Sequence, residues 1–166
     1  MRDPLPAVAR DAYSYRTDPA VPPFPDDRAL MVFDGYCGLC THSVQFTLHH
    51  DARRQFRFLP AQTGLGDALY NHYDLDSTSY ETFLLLDKGR AYFASDAAIK
   101  IFDMLGFPWS LAVALKIVPK PLRDWVYFEV AHNRMRFFGR KPACYLPSPE
   151  TADRFLDGEM REVAEA

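Results

Sequence analysis

The chain has 166 residues, 48% apolar and 25% charged, enough for one domain with a real core plus extensions. Its formal charge of -3 gives no reason to expect a nucleic-acid partner. Three cysteines are too few, and odd in number, for a disulfide-stapled secreted scaffold, and no stretch approaches the roughly 20 apolar residues that a membrane span needs.

Residues 1–27 hold six of the 13 prolines and almost no periodicity, so they are expected to form an irregular, Pro-rich N-terminal arm without a signal-peptide-like apolar run. A domain is expected over 28–146 and a polar tail over 147–166. Ala29–Phe33 is a continuous apolar run that ends at Asp34-Gly35, the pattern of a central strand buried on both faces. After Gly35, Cys40, Val44 and Leu48 recur every four residues and predict a helix. Asp51–Gln55 is a charged break. Phe56–Leu59 reads as a second strand stopped by Pro60, and Leu65, Leu69 and Tyr70 predict a short helix reaching about Tyr73.

Thr82–Leu86 predicts a third strand, Asp87-Lys88-Gly89 a turn, and Arg90–Ala94 the returning strand of a hairpin. Ser95 is expected to cap a third helix running through Leu105. Pro108 and Pro121 stand where two more helices can begin, over Trp109–Ile117 and Leu122–Phe138, the second ending at Gly139. Trp109 and Trp125 are expected in the core, with a docking surface for a partner or a membrane as the alternative. The basic cluster Arg134, Arg136, Arg140 and Lys141 reads as a solvated face. The element order, β-α-β-α-β-β-α followed by extra helices, suits an α/β fold with a mixed four-stranded sheet.

The chemistry sits just past the carboxyl end of the first strand, in Asp34-Gly35-Tyr36-Cys37-Gly38-Leu39-Cys40. Cys-x-x-Cys beside a strand–helix–strand pattern is a redox signature in a cytosolic protein. It puts one sulfur at the helix N-terminus, where backbone N–H groups favour the thiolate, and the other one turn later. Cys37 is therefore expected to be the accessible, attacking thiolate and Cys40 the resolving thiol. Asp34 is a candidate proton acceptor for Cys40, or else it caps the helix or braces the Gly35 turn. The competing reading makes the cysteines metal ligands, with His42 or Cys144, on a binding module, although a second Cys-x-x-Cys is missing.

The chain resembles the DCC family of thiol–disulfide oxidoreductases. The likeness begins with Val32–Cys40. It continues through Phe58-Leu59-Pro60-Ala61-Gln62, Ser95-Asp96-Ala97-Ala98, Ile117–Asp124 and Asn133-Arg134 to Phe138-Gly139-Arg140, with Cys144 following. The resemblance implies a thioredoxin-like fold with additional C-terminal helices, and it carries over Asp34, Cys37 and Cys40 as motif residues. The expected partners of such chemistry are a disulfide-containing protein or small thiol substrate and a thiol electron donor, with no cofactor, and the few cysteines and the lack of a signal-like run make the reducing cytoplasm the expected compartment. Thioredoxins and glutaredoxins place a cis-proline before the third sheet strand. The equivalent Ser77–Thr82 contains no proline, so the usual backbone docking of a peptide is not expected here.

Overall fold

The computed structural model describes residues 11–78, 80, 82–140 and 149–156. Cys144 and Lys141 lie outside these residues.

Four strands form one mixed sheet: β1 (Ala29–Phe33), β2 (Phe56–Pro60), β3 (Leu84–Asp87) and β4 (Arg90–Phe93), in the order β2-β1-β3-β4. β1 runs parallel to β2, pairing Ala29 with Phe56 and Phe33 with Pro60. β3 runs antiparallel to both β1 and β4. The helices are α1 (Gly38–His50), α2 (Gly64–His72), α3 (Ala94–Leu105) and α4 (Lys120–Phe138). This is the thioredoxin-like architecture, with Trp109–Ile117, a 3-10 helix, and α4 added after it.

All five residues of β1 are buried, as a continuous apolar run in a central strand requires. Alternation along the strand splits the core in two. Leu30 and Val32 pack with Leu69 and Tyr70 of α2 and with Tyr15 and Val21 from the N-terminal arm. Ala29, Met31 and Phe33 face Val44 of α1 and Ala97 and Ile101 of α3. The described part of the arm thus packs on the sheet, because its aromatic residues cover the α2 side. Phe155 does the same on the other side. Nearby, the Arg154 guanidinium donates to the carboxylate of Asp51, the C-cap residue of α1, and that carboxylate also accepts the N–H of Phe56.

Two expectations change. Ser95 does not cap α3. The N-cap is Phe93, and Ser95 lies inside the first turn with its hydroxyl turned to Asp124 of α4. Trp125 is not core: it is 61% exposed, as part of an apolar belt that includes Phe107, Ile117 and Leu122. α4 is apolar on two sides, and only the Tyr127–Ala131–Arg134 side turns inward, which leaves the other in solvent. Trp109 is half-buried, edge-on to Phe46 and against His50. Among the described residues no helix is long and apolar enough to cross a membrane.

Candidate active site

β1 ends at Phe33 and delivers Asp34 to the sheet edge, where the chain turns into α1. Asp34 Oδ1 accepts the N–H of Tyr36 at 3.0 Å, a turn closed by a side chain. The Asp34 carbonyl accepts the N–H of Cys37 at 3.3 Å. From the loop after β2, Gln62 donates through Nε2 to Asp34 Oδ1 at 2.6 Å and accepts the Gly35 N–H on Oε1 at 3.1 Å. From α4, Arg134 donates to Asp34 Oδ2 at 3.0 Å and to the Tyr80 carbonyl at 2.7 Å. Asp34 and Arg134 are both buried. Two buried charges taken out of water persist only when paired and hydrogen-bonded, and this pair is both.

The turn sets Cys37 at the N-cap of α1, where its sulfur accepts the N–H of Cys40 at 3.4 Å. The two thiols are free. The thiol of Cys40 also donates to Cys37, and this is the largest influence lowering the Cys37 pKa to about 6. Burial and the Asp34 charge oppose the shift, while the Cys40 N–H and the Arg134 guanidinium assist it. Cys40 moves well upward, through the same hydrogen bond and through burial. One sulfur of the pair is therefore thiolate at neutral pH while the other keeps its proton.

Access is arranged differently from the expectation. Cys37 is 0% exposed, whereas Cys40 is half-buried and stands on the wall of a groove. The cover over Cys37 comes from the end of α4. The Gly38 N–H donates to the Gly139 carbonyl at 3.2 Å, and Cys37 forms an antiparallel bridge with Arg140. This approach is possible because residue 38 lacks a side chain: a Cβ there would lie 2.3 Å from the Phe138 carbonyl oxygen.

The ionisation has a measurable consequence for stability. The folded pKa of Cys37 lies below its ordinary value of 9.0, so the folded protein holds fewer protons than the unfolded chain between about pH 6 and pH 9. The resulting stabilisation is complete above pH 9 and disappears as the pH falls through 6. Urea denaturation of the reduced protein, compared with Cys37→Ser, is expected to show about 2 kcal/mol more advantage for the wild type at pH 8 than at pH 5. An advantage independent of pH would contradict the ionised sulfur.

Against this geometry, the model of the DCC1-like thiol-disulfide oxidoreductase family matches residues 31–140. The chain belongs to that family. It is 40% identical over 127 residues to the uncharacterized protein YuxK of Bacillus subtilis (strain 168), covering 76% of this chain and 93% of the relative. It is 35% identical over 122 residues to the DCC family protein At1g52590, chloroplastic, of Arabidopsis thaliana, covering 73% and 71%. No solved structure matches the chain.

In this DCC1-like chain the scattered motifs meet as partners. Asp34 meets Gln62 and Arg134, as described. Ser95 and Asp96 meet the segment around α4's start: the Ser95 hydroxyl donates to Asp124, while Asp96 pairs with Lys120 at 2.6 Å and Arg123 at 3.0 Å. The second cluster locks α4 onto α3 and so fixes where Arg134 arrives. Arg134 is not on a solvated face. The available signal is its spacing, since Tyr127, Ala131 and Arg134 share one helical stripe, a charge among inward positions. His42 lines the groove beside Cys40. Among the described residues no group of three His, Cys, Asp or Glu side chains is placed to hold a metal ion.

Proposed function

We propose that the protein is a thiol–disulfide oxidoreductase enzyme in which Cys37 attacks and Cys40 resolves. The observation that carries this reading is the asymmetric sulfur pair at the mouth of α1, with Cys40 N–H and S–H both directed at the Cys37 sulfur. The Cys37 thiolate attacks one sulfur of a substrate disulfide, whose S–S bond breaks and releases a thiolate. Cys40 then gives up its proton and attacks Cys37, expelling the second thiolate and leaving a Cys37–Cys40 disulfide. Two electrons pass from protein to substrate, and a dithiol or thiol donor returns them. Asp34 positions Arg134 beside the pair, and its Oδ2, which accepts a hydrogen bond from Arg134, retains a lone pair for the Cys40 proton. Attack at Cys37 needs the Gly139–Arg140 cover to move aside. The substrates are a disulfide-containing protein or a small disulfide, and the compartment is a reducing one such as the cytoplasm.

The test is a redox titration of the intact protein, read by alkylation and mass. A two-electron transition joining Cys37 to Cys40 is expected. A low Cys37 pKa stabilises the reduced form, so the midpoint is expected above thioredoxin's, between about -270 and -120 mV. Thiols that persist under oxidising buffers, or linkage elsewhere, would overturn the reading.

A further inference from the structure

Between α1 and α4, with α3 and the sheet beneath, runs a groove of about 490 Å³, large enough for a small organic molecule. Leu39 and Phe46 line one side, Val126 and Val130 the other, and Ile101 and Phe102 the base. We propose that this groove binds the apolar, uncharged arm of a disulfide substrate and presents its S–S bond to the cysteine pair. The proposal rests on the exchange chemistry above and names its substrate class.

Two observations carry it. The first is continuity: Cys40 is on the groove wall and its thiol is hydrogen-bonded to the Cys37 sulfur, so a disulfide at the head of the groove stands beside both. The second is the state of the groove's polar groups. The Ser43 hydroxyl donates to the Leu39 carbonyl, and that of Thr47 to Ser43. The Tyr127 hydroxyl accepts the Phe83 N–H. Arg134 is neutralised by Asp34 and also bound to Tyr80. These groups are satisfied by the protein and leave His42 as the lining side chain open to a ligand, so an ammonium or a pair of carboxylates entering the groove loses more hydration than one imidazole replaces. Glutathione disulfide, which carries several such charges, is a poor fit, whereas an aromatic or aliphatic disulfide replaces water against apolar walls. The Tyr127 bond also occupies the N–H just ahead of β3, which removes one site for strand-like peptide pairing.

The reaction balances as before. Cys37 attacks the sulfur bearing the groove-bound arm, the distal half leaves as a thiolate, and Cys40 then releases the bound half, with two electrons delivered in all.

The test compares two aryl disulfides with the full-length reduced protein at pH 8. One is the neutral 2,2′-dipyridyl disulfide, the other the dicarboxylate 5,5′-dithiobis(2-nitrobenzoate). Each rate is normalised to that of free cysteine with the same disulfide. A preference of at least about tenfold for the neutral compound is expected. Val130→Gln puts an uncharged polar side chain at a wall position that is 43% exposed, so the fold tolerates it and neither disulfide meets a new charge. It is expected to slow the neutral compound and so lower that preference by at least about threefold. Equal normalised rates in the wild type, or a preference unchanged in Val130→Gln, would overturn the groove assignment and leave the exchange reading intact. If Cys37→Ser left both rates unchanged, the exchange reading itself would fall.

Discussion

Cys37→Ser is expected to abolish turnover of a disulfide substrate, by at least about a thousandfold, while slowing the first sulfur attack much less. At pH 7 a thiol of pKa about 6 is about 90% ionised, against about 3% for an ordinary cysteine, and burial holds Cys40 above the ordinary pKa. That advantage of roughly thirtyfold is largely offset, because a less basic thiolate is a weaker nucleophile by about tenfold over this range. The large loss comes from the second step. An internal partner acts at an effective concentration far above that of any thiol in solution, and without it the mixed disulfide is stranded. Cys40→Ser shows the complementary outcome: a hydroxyl still donates to the Cys37 sulfur, attack proceeds, and a mixed disulfide accumulates on Cys37. Insulin-reduction rates and intact mass of the trapped species measure both. A Cys37→Ser protein within tenfold of the wild-type turnover would contradict the assigned roles.

Arg134→Met is expected to destabilise the protein by about 3–5 kcal/mol, because it leaves the buried Asp34 carboxylate without its counter-charge. Methionine keeps most of the length and apolar contact of the arginine, so the loss reports the charge more than the packing. Adding Asp34→Asn removes the stranded charge and is expected to recover part of the loss. The double variant therefore measures the coupling of the two side chains directly. Urea denaturation of the wild type, both single variants and the double variant closes the cycle. A loss below about 1 kcal/mol for Arg134→Met would show that the pair is an ordinary surface interaction.

Much of the scaffold was legible because local patterns agree with it. Ala29–Phe33 is apolar without interruption and is the central strand; Asp87-Lys88-Gly89 carries turn chemistry and closes the hairpin; Gly139, at φ 75°, ends α4 where glycine tolerates the left-handed region. The cysteine pair was legible from spacing alone. Arg134 was not, since one arginine grouped with three other nearby cations reads as solvent-facing unless the register of the helix against the sheet is known. That register depends on Asp96, Lys120 and Arg123, which are far from β1 in sequence and ordinary as surface charges. The exposure of Trp125 was hidden for a related reason: apolar density says how much can be buried, and only docking of α4 decides which side is. The cover over Cys37 depends likewise on a backbone meeting, Gly38 with Gly139, that no side-chain pattern announces.

The ion pair between Asp34 and Arg134 joins residues 100 positions apart. On the ribosome, at about 5–20 residues per second, the cysteines emerge some 5–20 seconds before the arginine that assists their ionisation. During that interval neither the buried counter-charge nor the α4 cover exists, and the nascent thiols retain more ordinary reactivity. The last helix of the domain thus brings its share of the ionisation and the shield in one step, so the added reactivity conferred by Arg134 never stands uncovered.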